Sequence, residues 1–493
     1  MLEMFAQGFA ALLSIKMLAP LALGVIIGII VGASPGLSSS MGLILVLPAT
    51  YAMPLEQSMA IFLGIYVGSV SGGLITAILL NIPGTSASVP TTFDGAPMAR
   101  KGQAGKALSV GLVCSFFGGM FSFIFLFFLS PTIAVLALKF SAVEYFAVSF
   151  FALMLVASLA GKSLVKGLAS AAVGMAFATV GMAPLDAARR YTFGYIGLDK
   201  GFAFVAVLIG FYAVIEVLKM AEKFDIQPTP KANYHMKGFD ITRQEVKENL
   251  GNFFISSSIG TGIGFLPGIG SGTAAMISYT VTKNRSKTPE LFGTGIVPGV
   301  VASESANNAV IGGALIPLLT LGIPGDGSTA ILLSAFMMHG ITPGPLLFTT
   351  QGPLIYTMFA CLFVGNIMMI ILEYYSLPLV LKVLNLPREV LFPIIMVMCS
   401  IGAYGSNNRT FDIVTILVFA AIGYAFYKFK FPAPPFIMGF ILCPLVEKYL
   451  LRALQLTDGS LVPFFTRPIS GFFMLLSLVF VIMTVRKQSR YKT

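Results

Sequence analysis

Tryptophan is absent from this 493-residue chain, histidine occurs only as His235 and His339, and 10% of the residues are charged. Each scarcity excludes something. Two histidines, the first in a polar connector, leave no basis for histidine-based catalysis. The four cysteines (Cys114, Cys361, Cys399 and Cys443) lie singly in or beside apolar runs without C-x-x-C spacing, so neither a zinc site nor a disulfide framework is supported. Without tryptophan, any interfacial aromatic belt must rest on tyrosine and phenylalanine. Soluble domains carry about 25% charged residues, whereas this chain is 56% hydrophobic with a mean hydropathy of +0.90.

What is present is a succession of apolar runs. Crossing the hydrocarbon core takes about 20 apolar residues, and the runs here predict an all-α polytopic membrane protein with about 10–13 transmembrane helices. The runs 41–53, 273–282 and 328–338 are too short to span and read as half-helices or re-entrant arms. The net charge of +11 comes from Lys and Arg in short connectors, which is the positive-inside pattern and not a nucleic-acid footprint. The N-terminus lacks a basic region followed by a short apolar core and a cleavage site, so it reads as a retained start to the first span. One long polar connector, 221–249, separates an N-terminal membrane repeat (1–220) from a C-terminal membrane repeat with terminal helices (250–493). Inside it, Thr242 and Glu245 have the spacing of a capping box.

The two halves repeat one another. "GASPGLSSSMGLILVLP" in the first has its counterpart in "GFLPGIGSGTAAMISYT", and "SGGLITAILLNIPGT" (71–85) aligns with "GGALIPLLTLGIPGD" (312–326). Matching Pro83 with Pro324 places Gly72 on Gly313, Leu74 on Leu315 and Ile82 on Ile323. Connector charge then reverses between the copies. Arg100, Lys101 and Lys106 follow the second break of half one, whereas Lys283, Arg285 and Lys287 follow the first break of half two. Opposite bias at matching loops predicts two inverted-topology repeats, an architecture of secondary transporters.

Four Pro-Gly breaks (Pro35-Gly36, Pro83-Gly84, Pro267-Gly268 and Pro324-Gly325) punctuate the apolar runs. Proline removes a donor and glycine permits reversal, and broken helix inside hydrocarbon is tolerated only around a buried or wet cavity. A half-helix starting after each break presents free N–H groups to an anion, and freed carbonyls suit a cation. Hydroxyls follow every break: Ser38, Ser39 and Ser40; Thr85 and Ser86; Ser271, beside Gly270 and Gly272; and Ser328 and Thr329. Their ordinary alternative is helix capping. The segment "VVASESANNAVIGG" adds Glu304, Asn307 and Asn308 at i, i+3 and i+4, a carboxylate and two amides able to converge on a cation such as Na⁺ together with backbone carbonyls near Gly322. Asp326 is a second candidate acid, or a helix cap, and Arg409 reads as a loop residue snorkelling to the surface.

These motifs, with "ASESANNAVIGGALIPLLTLGIPGDGSTAILL" and "GSNNRTFDIVTILVFAAIGYAFYKFKFPAPPFIMGF", resemble the large membrane subunit of the tripartite tricarboxylate transporters, the TctA family, over nearly the whole chain. The resemblance implies a secondary active transporter in the bacterial cytoplasmic (inner) membrane. It would take up citrate-like tricarboxylates or dicarboxylates by Na⁺ or H⁺ symport. It also implies a small TctB-like membrane subunit and a periplasmic, TctC-like solute-binding protein, with no cofactor beyond the coupling ion. The family's motifs fall here on Pro35-Gly36-Leu37-Ser38, Asn81-Ile82-Pro83-Gly84-Thr85, Asp94-Gly95, Pro267 to Gly272, Glu304 to Asn308, and Gly322 to Gly325. Asp326 stands where a small or neutral residue is expected. A passive anion channel and an intramembrane aspartyl protease are the competing readings. The second needs a partner aspartate, and Thr85 stands at the repeat position of Asp326.

Overall fold

The computed structural model describes residues 2–34, 37–159, 163–222, 238–383 and 408–490, with isolated positions between 393 and 404. Pro35 and Gly36 of the first break, and His235, lie outside the described residues. The chain is an all-α polytopic membrane protein. Six described helices are long and apolar enough to cross a membrane, and four shorter apolar helices accompany them. Strand among the described residues is confined to the pair Gly181–Met182 and Arg189–Arg190.

Two compact units form, and neither follows the sequence halves. The first takes Met1–Thr132, Lys219–Phe265 and Gly270–Met398; the second takes Ile133–Leu218, Leu266–Ile269 and Cys399–Thr493. Apart from the third break, Leu266–Ile269, each half thus gives its broken helices to the first unit and its later helices to the second. In the second unit Arg190 grips Glu447 through two hydrogen bonds of 2.6 and 3.2 Å. Arg409 there donates to the Gly197 and Gly201 carbonyls and pairs with Asp412 at 3.0 Å, so it pins a loop instead of snorkelling.

The short runs fold as expected, as Ser39–Thr50, Gly270–Arg285 and Gly327–Met338. Twelve residues at 1.5 Å each cover about 18 Å, well short of the roughly 30 Å hydrocarbon core. The long helices Leu55–Leu79 and Val297–Leu321 run through the interior of the first unit, and from Gly299 to Thr320 every residue of the latter is buried. Glycine explains how close the helices come. Gly24, Gly28 and Gly32 on Ile15–Ala33 oppose Gly64, Gly68 and Gly72 on Leu55–Leu79, and a Cβ at any of them would strike the facing backbone. Small residues four apart are how helices associate in lipid, where no hydrophobic force separates them from solvent. In the second half, Gly260 and Gly264 on Arg243–Phe265 meet Val297–Leu321 in the same way.

The connector ends as its sequence implies. The Thr242 N–H and hydroxyl both donate to Glu245 at 2.9 Å, and the Glu245 N–H returns to Thr242. Burial pushes the Glu245 carboxyl up, but its Lys106 partner and the Thr242 donors outweigh burial and hold it below the usual glutamate range.

Breaks two and four close alike. Leu80 and Ile82 donate to the Thr76 carbonyl across Asn81, which sits at φ 56°; Ile323 donates to the Pro317 carbonyl across Gly322, at φ 72°. Both are left-handed helix ends with a six-residue closing bond. Asn81 accepts a conformation that costs a branched residue about 1–2 kcal/mol. Asn81→Gly should therefore retain thermal stability in detergent, while Asn81→Val should lower it by roughly that amount; equal stability of the two variants would contradict this closure.

Candidate functional site

The site is built inside the first unit, on the buried Val297–Leu321 helix. Glu304 is fully buried. Thr91, from the Val89–Met98 helix after the second break, donates to its Oε1 and lies 2.9 Å from Ser303 Oγ. Ser115, on Ala104–Ala137, donates to Oε2 at 3.1 Å. Asn308 Nδ2 donates to the Glu304 carbonyl and Asn307 Nδ2 to the Val70 carbonyl, each at 3.2 Å. The amide oxygens Asn307 Oδ1 and Asn308 Oδ1 are buried with no partner among the described residues. A carboxylate with two unspent amide oxygens is a hard oxygen donor set, the chemistry Na⁺ takes. Among the described residues no three His, Cys, Asp or Glu gather to hold a metal, so an ion here would rest on one carboxylate and neutral oxygens.

Asp94 shapes the start of this helix. Its Oδ1 accepts from the N–H groups of Gly293, Gly295 and Ile296 at 2.8–3.1 Å, and its Oδ2 accepts from Tyr279 at 2.8 Å. The buried carboxylate thereby fixes the turn that launches Val297–Leu321.

The breaks join into a circuit. Gly84 packs on the Gly32 carbonyl and Gly73, and Gly325 packs on the Gly264 carbonyl and Ala314, which are the repeat-equivalent neighbours. Gly272 adjoins the Ser86 backbone, so the turn after the second break meets the helix after the third. Ser39–Thr50, capped by Ser38 through the Met41 N–H at 3.1 Å, packs against Gly327–Met338. Ser39, Ser40 and Ser271 are half-buried at first turns, and Ser86 is exposed. Gly270 sits at φ 77° with open space beside it. Gly268, at φ 75°, packs on Val156.

One asymmetry between the copies is informative. Tyr66 donates to Asp326 Oδ2 at 2.7 Å. Its repeat equivalents are Asn307 and Thr85, and there the Thr85 hydroxyl and Asn307 Oδ1 are both buried and unpartnered. Both border the same turn of Leu55–Leu79, Asn307 at Val70 and Thr85 at Gly73. The contact is closed in one copy and open in the other.

Three expectations need correction. The carbonyls near Gly322 cannot share an ion with Glu304 and Asn308, because one continuous helix separates Glu304 from Gly322 by 18 residues, about 27 Å. Asp326 is fixed elsewhere: its neighbour Gly325 packs on Ala314, 10 residues or about 15 Å along the helix from Glu304, and its own carboxylate is bonded to Tyr66 and Thr329. Asp326 and Thr329 are spent on each other: Oδ1 accepts from the Thr329 N–H at 2.8 Å, and the Asp326 N–H donates to Thr329 Oγ1 at 2.8 Å. With Ser328 also buried, that helix start holds an internal carboxylate in place of a bound anion. No second aspartate faces Asp326 among its hydrogen-bonded neighbours, which are Tyr66 and Thr329. Sequence reading also passed over Thr91, Ser115 and Tyr66, ordinary in type and placed only by packing. It passed over Glu373 too, a single carboxylate in an apolar run, which the reasoning applied to Glu304 would have found.

The Tripartite tricarboxylate transporter TctA family matches residues 18–438. The chain belongs to that family. It is 36% identical over 470 residues to an uncharacterized 52.8 kDa protein in the TAR-I ttuC' 3' region of Agrobacterium vitis, covering 95% of this chain and 93% of that protein. It is 40% identical over 233 residues to an uncharacterized protein in the TAR-II ttuC' 3' region of the same organism, covering 47% of this chain and 96% of that one. No solved structure matches. The TctA family makes the chain a tripartite tricarboxylate transporter subunit.

Gly325 separates packing from ligand contact. Its Cα faces Ala314 and the Gly264 carbonyl, so Gly325→Ala should cost about 1–3 kcal/mol of thermal stability by overpacking. Wild-type stability with lost transport would show instead that this backbone touches the solute.

Proposed function

We propose that this TctA chain takes up carboxylates, citrate-like tricarboxylates or related dicarboxylates, by Na⁺ or H⁺ symport across the bacterial cytoplasmic membrane. It is fed by a periplasmic TctC-like binding protein and works with a small TctB-like subunit. The observation that carries this reading is fully buried Glu304, held by Thr91 and Ser115 beside the unspent oxygens of Asn307 and Asn308. A carboxylate in such surroundings is expensive and marks ion or proton pathways. The carboxylate substrate takes the hydroxyls and half-helix starts at Ser38, Ser39, Ser40, Thr85, Ser86, Ser271 and Gly272, where helix dipoles and O–H donors replace a guanidinium clamp. Inversion of the two repeats, inferred from connector charge, supports alternating access.

Proteoliposomes containing the chain with its small subunit, supplied with binding protein and labelled citrate or a labelled four-carbon dicarboxylate, test this. Accumulation above equilibrium under an imposed Na⁺ or proton gradient is expected; mere equilibration, whatever the gradient, would make the protein a channel. Glu304→Gln should insert normally yet cut gradient-driven accumulation about tenfold or more, since a hydrogen bond or ligand bond to a charge is worth roughly 1.5–3 kcal/mol. Uptake equal to wild type would reduce the Glu304 cluster to a structural one.

A further inference from the structure

Glu373 lies in Gly352–Val383, a helix apolar enough to cross the membrane. It is 0% exposed, and neither Oε1 nor Oε2 has a hydrogen-bond partner among the described residues. The Ser71 hydroxyl, on Leu55–Leu79, is equally buried and unpartnered; it lies beside Glu373, outside hydrogen-bonding geometry. Three oxygens therefore gather with one proton among them, that of Ser71. Burying an unpaired carboxylate is costly, and binding a cation removes that cost.

Among the described residues no protein cation supplies that partner. The elements packed against Gly352–Val383 carry Glu3, Lys16, Glu56 and Tyr66, with Lys106 and Cys114 on Ala104–Ala137 and Asp240 after the Gly238–Phe239 stretch that meets Tyr374; Lys106 is paired with Glu245, and none of them is hydrogen-bonded to Glu373. Tyr66 is spent on Asp326. Glu304 acts on Glu373 through space as a like charge, which makes a mobile cation between the two more favourable.

We propose that Glu373 with Ser71 forms a second monovalent-cation site, for H⁺ or Na⁺, distinct from the site at Glu304. The two flank one turn of Leu55–Leu79, since Asn307 of the Glu304 cluster holds the Val70 carbonyl and Ser71 is the next residue. The proposal deepens the symport reading by adding a second coupling site and rests on that reading for its purpose, though not for the binding itself.

Thermal unfolding of the purified full chain tests binding without any substrate. NaCl is exchanged for choline chloride at constant ionic strength, across a series from acid to alkaline pH. In the Na⁺ case, Glu373→Gln weakens the wild-type stabilisation by Na⁺ about tenfold in apparent affinity, and Ser71→Ala weakens it less. In the H⁺ case, Glu373→Gln removes part of the stabilisation gained on acidification, while Ser71→Ala retains it. Glu304→Gln removes only a neighbouring like charge, so it weakens the Glu373 response without abolishing it, and adding Glu373→Gln removes the remainder; failure of the Glu304 assignment and failure of this one are therefore separable. A purely structural Glu373 would shift the unfolding midpoint equally at every Na⁺ concentration and pH, and that result overturns the proposal.

A second measurement needs no variant. A membrane-soluble carbodiimide adds the carboxylic acid O–H across its C=N bond, and mass spectrometry locates the adduct. Labelling of Glu373 that Na⁺ or alkaline pH suppresses supports the site; absent labelling, or labelling indifferent to both, contradicts it.

Discussion

A polar atom in hydrocarbon must find a partner, and the first unit can be understood from how that demand is met. Where it is met, the partners build the fold. Asp94 gathers three backbone N–H groups and a tyrosine hydroxyl, and Asp326 closes its helix start with Thr329 and reaches across to Tyr66. Such charge-assisted bonds in a low dielectric are worth about twice a neutral one, so these two acids act as fixed structural ties. Where the demand is unmet among the described residues, the oxygens of Asn307, Asn308, Thr85, Ser71 and Glu373 stay without a partner, and these are the atoms the proposed function assigns to ligands. Carboxylates of the same chemical type are thus divided by their neighbours into partnered and unpartnered ones.

Close backbone packing makes that division possible. The glycine ladders let Ile15–Ala33 and Leu55–Leu79 touch along their length, and Gly84 and Gly325 seat the returning chain on a neighbouring carbonyl or Cα. Breaks that would be ruinous in lipid are thereby shielded by protein on each side. Half-helices of 12 residues become tolerable for the same reason: their open ends abut other ends and not acyl chains.

Much of this was legible in the sequence. Segment "NIPGT" and its mate "GIPGD" announce a break, and Asn81 and Gly322 do share one left-handed closure. Thr242 and Glu245 form the capping box their spacing describes. Spacing along one helix also places Glu304, Asn307 and Asn308 together. What sequence could not supply was depth along the helix axis: Gly322 and Glu304 are close in motif language but about 27 Å apart. Nor could it supply partners from distant elements, such as Thr91, Ser115 and Tyr66, whose roles exist only after packing. The interleaved units were hidden for a related reason. Contiguous halves invite contiguous domains, yet broken helices from both halves shelter one another, leaving the later helices to pair among themselves.

The central claim is that the turns after the breaks line a wet pocket that receives a carboxylate. Its most direct test replaces Cys114, Cys361, Cys399 and Cys443, all buried, and then places a single cysteine at Ser39, Ser86 or Ser271 in turn. The account predicts that a charged, membrane-impermeant thiol reagent labels each position from one side of the membrane or the other. It also predicts that citrate or a dicarboxylate, presented with the coupling ion, slows that labelling. Positions that stay unreactive from both sides, or react at a rate no carboxylate changes, would contradict it.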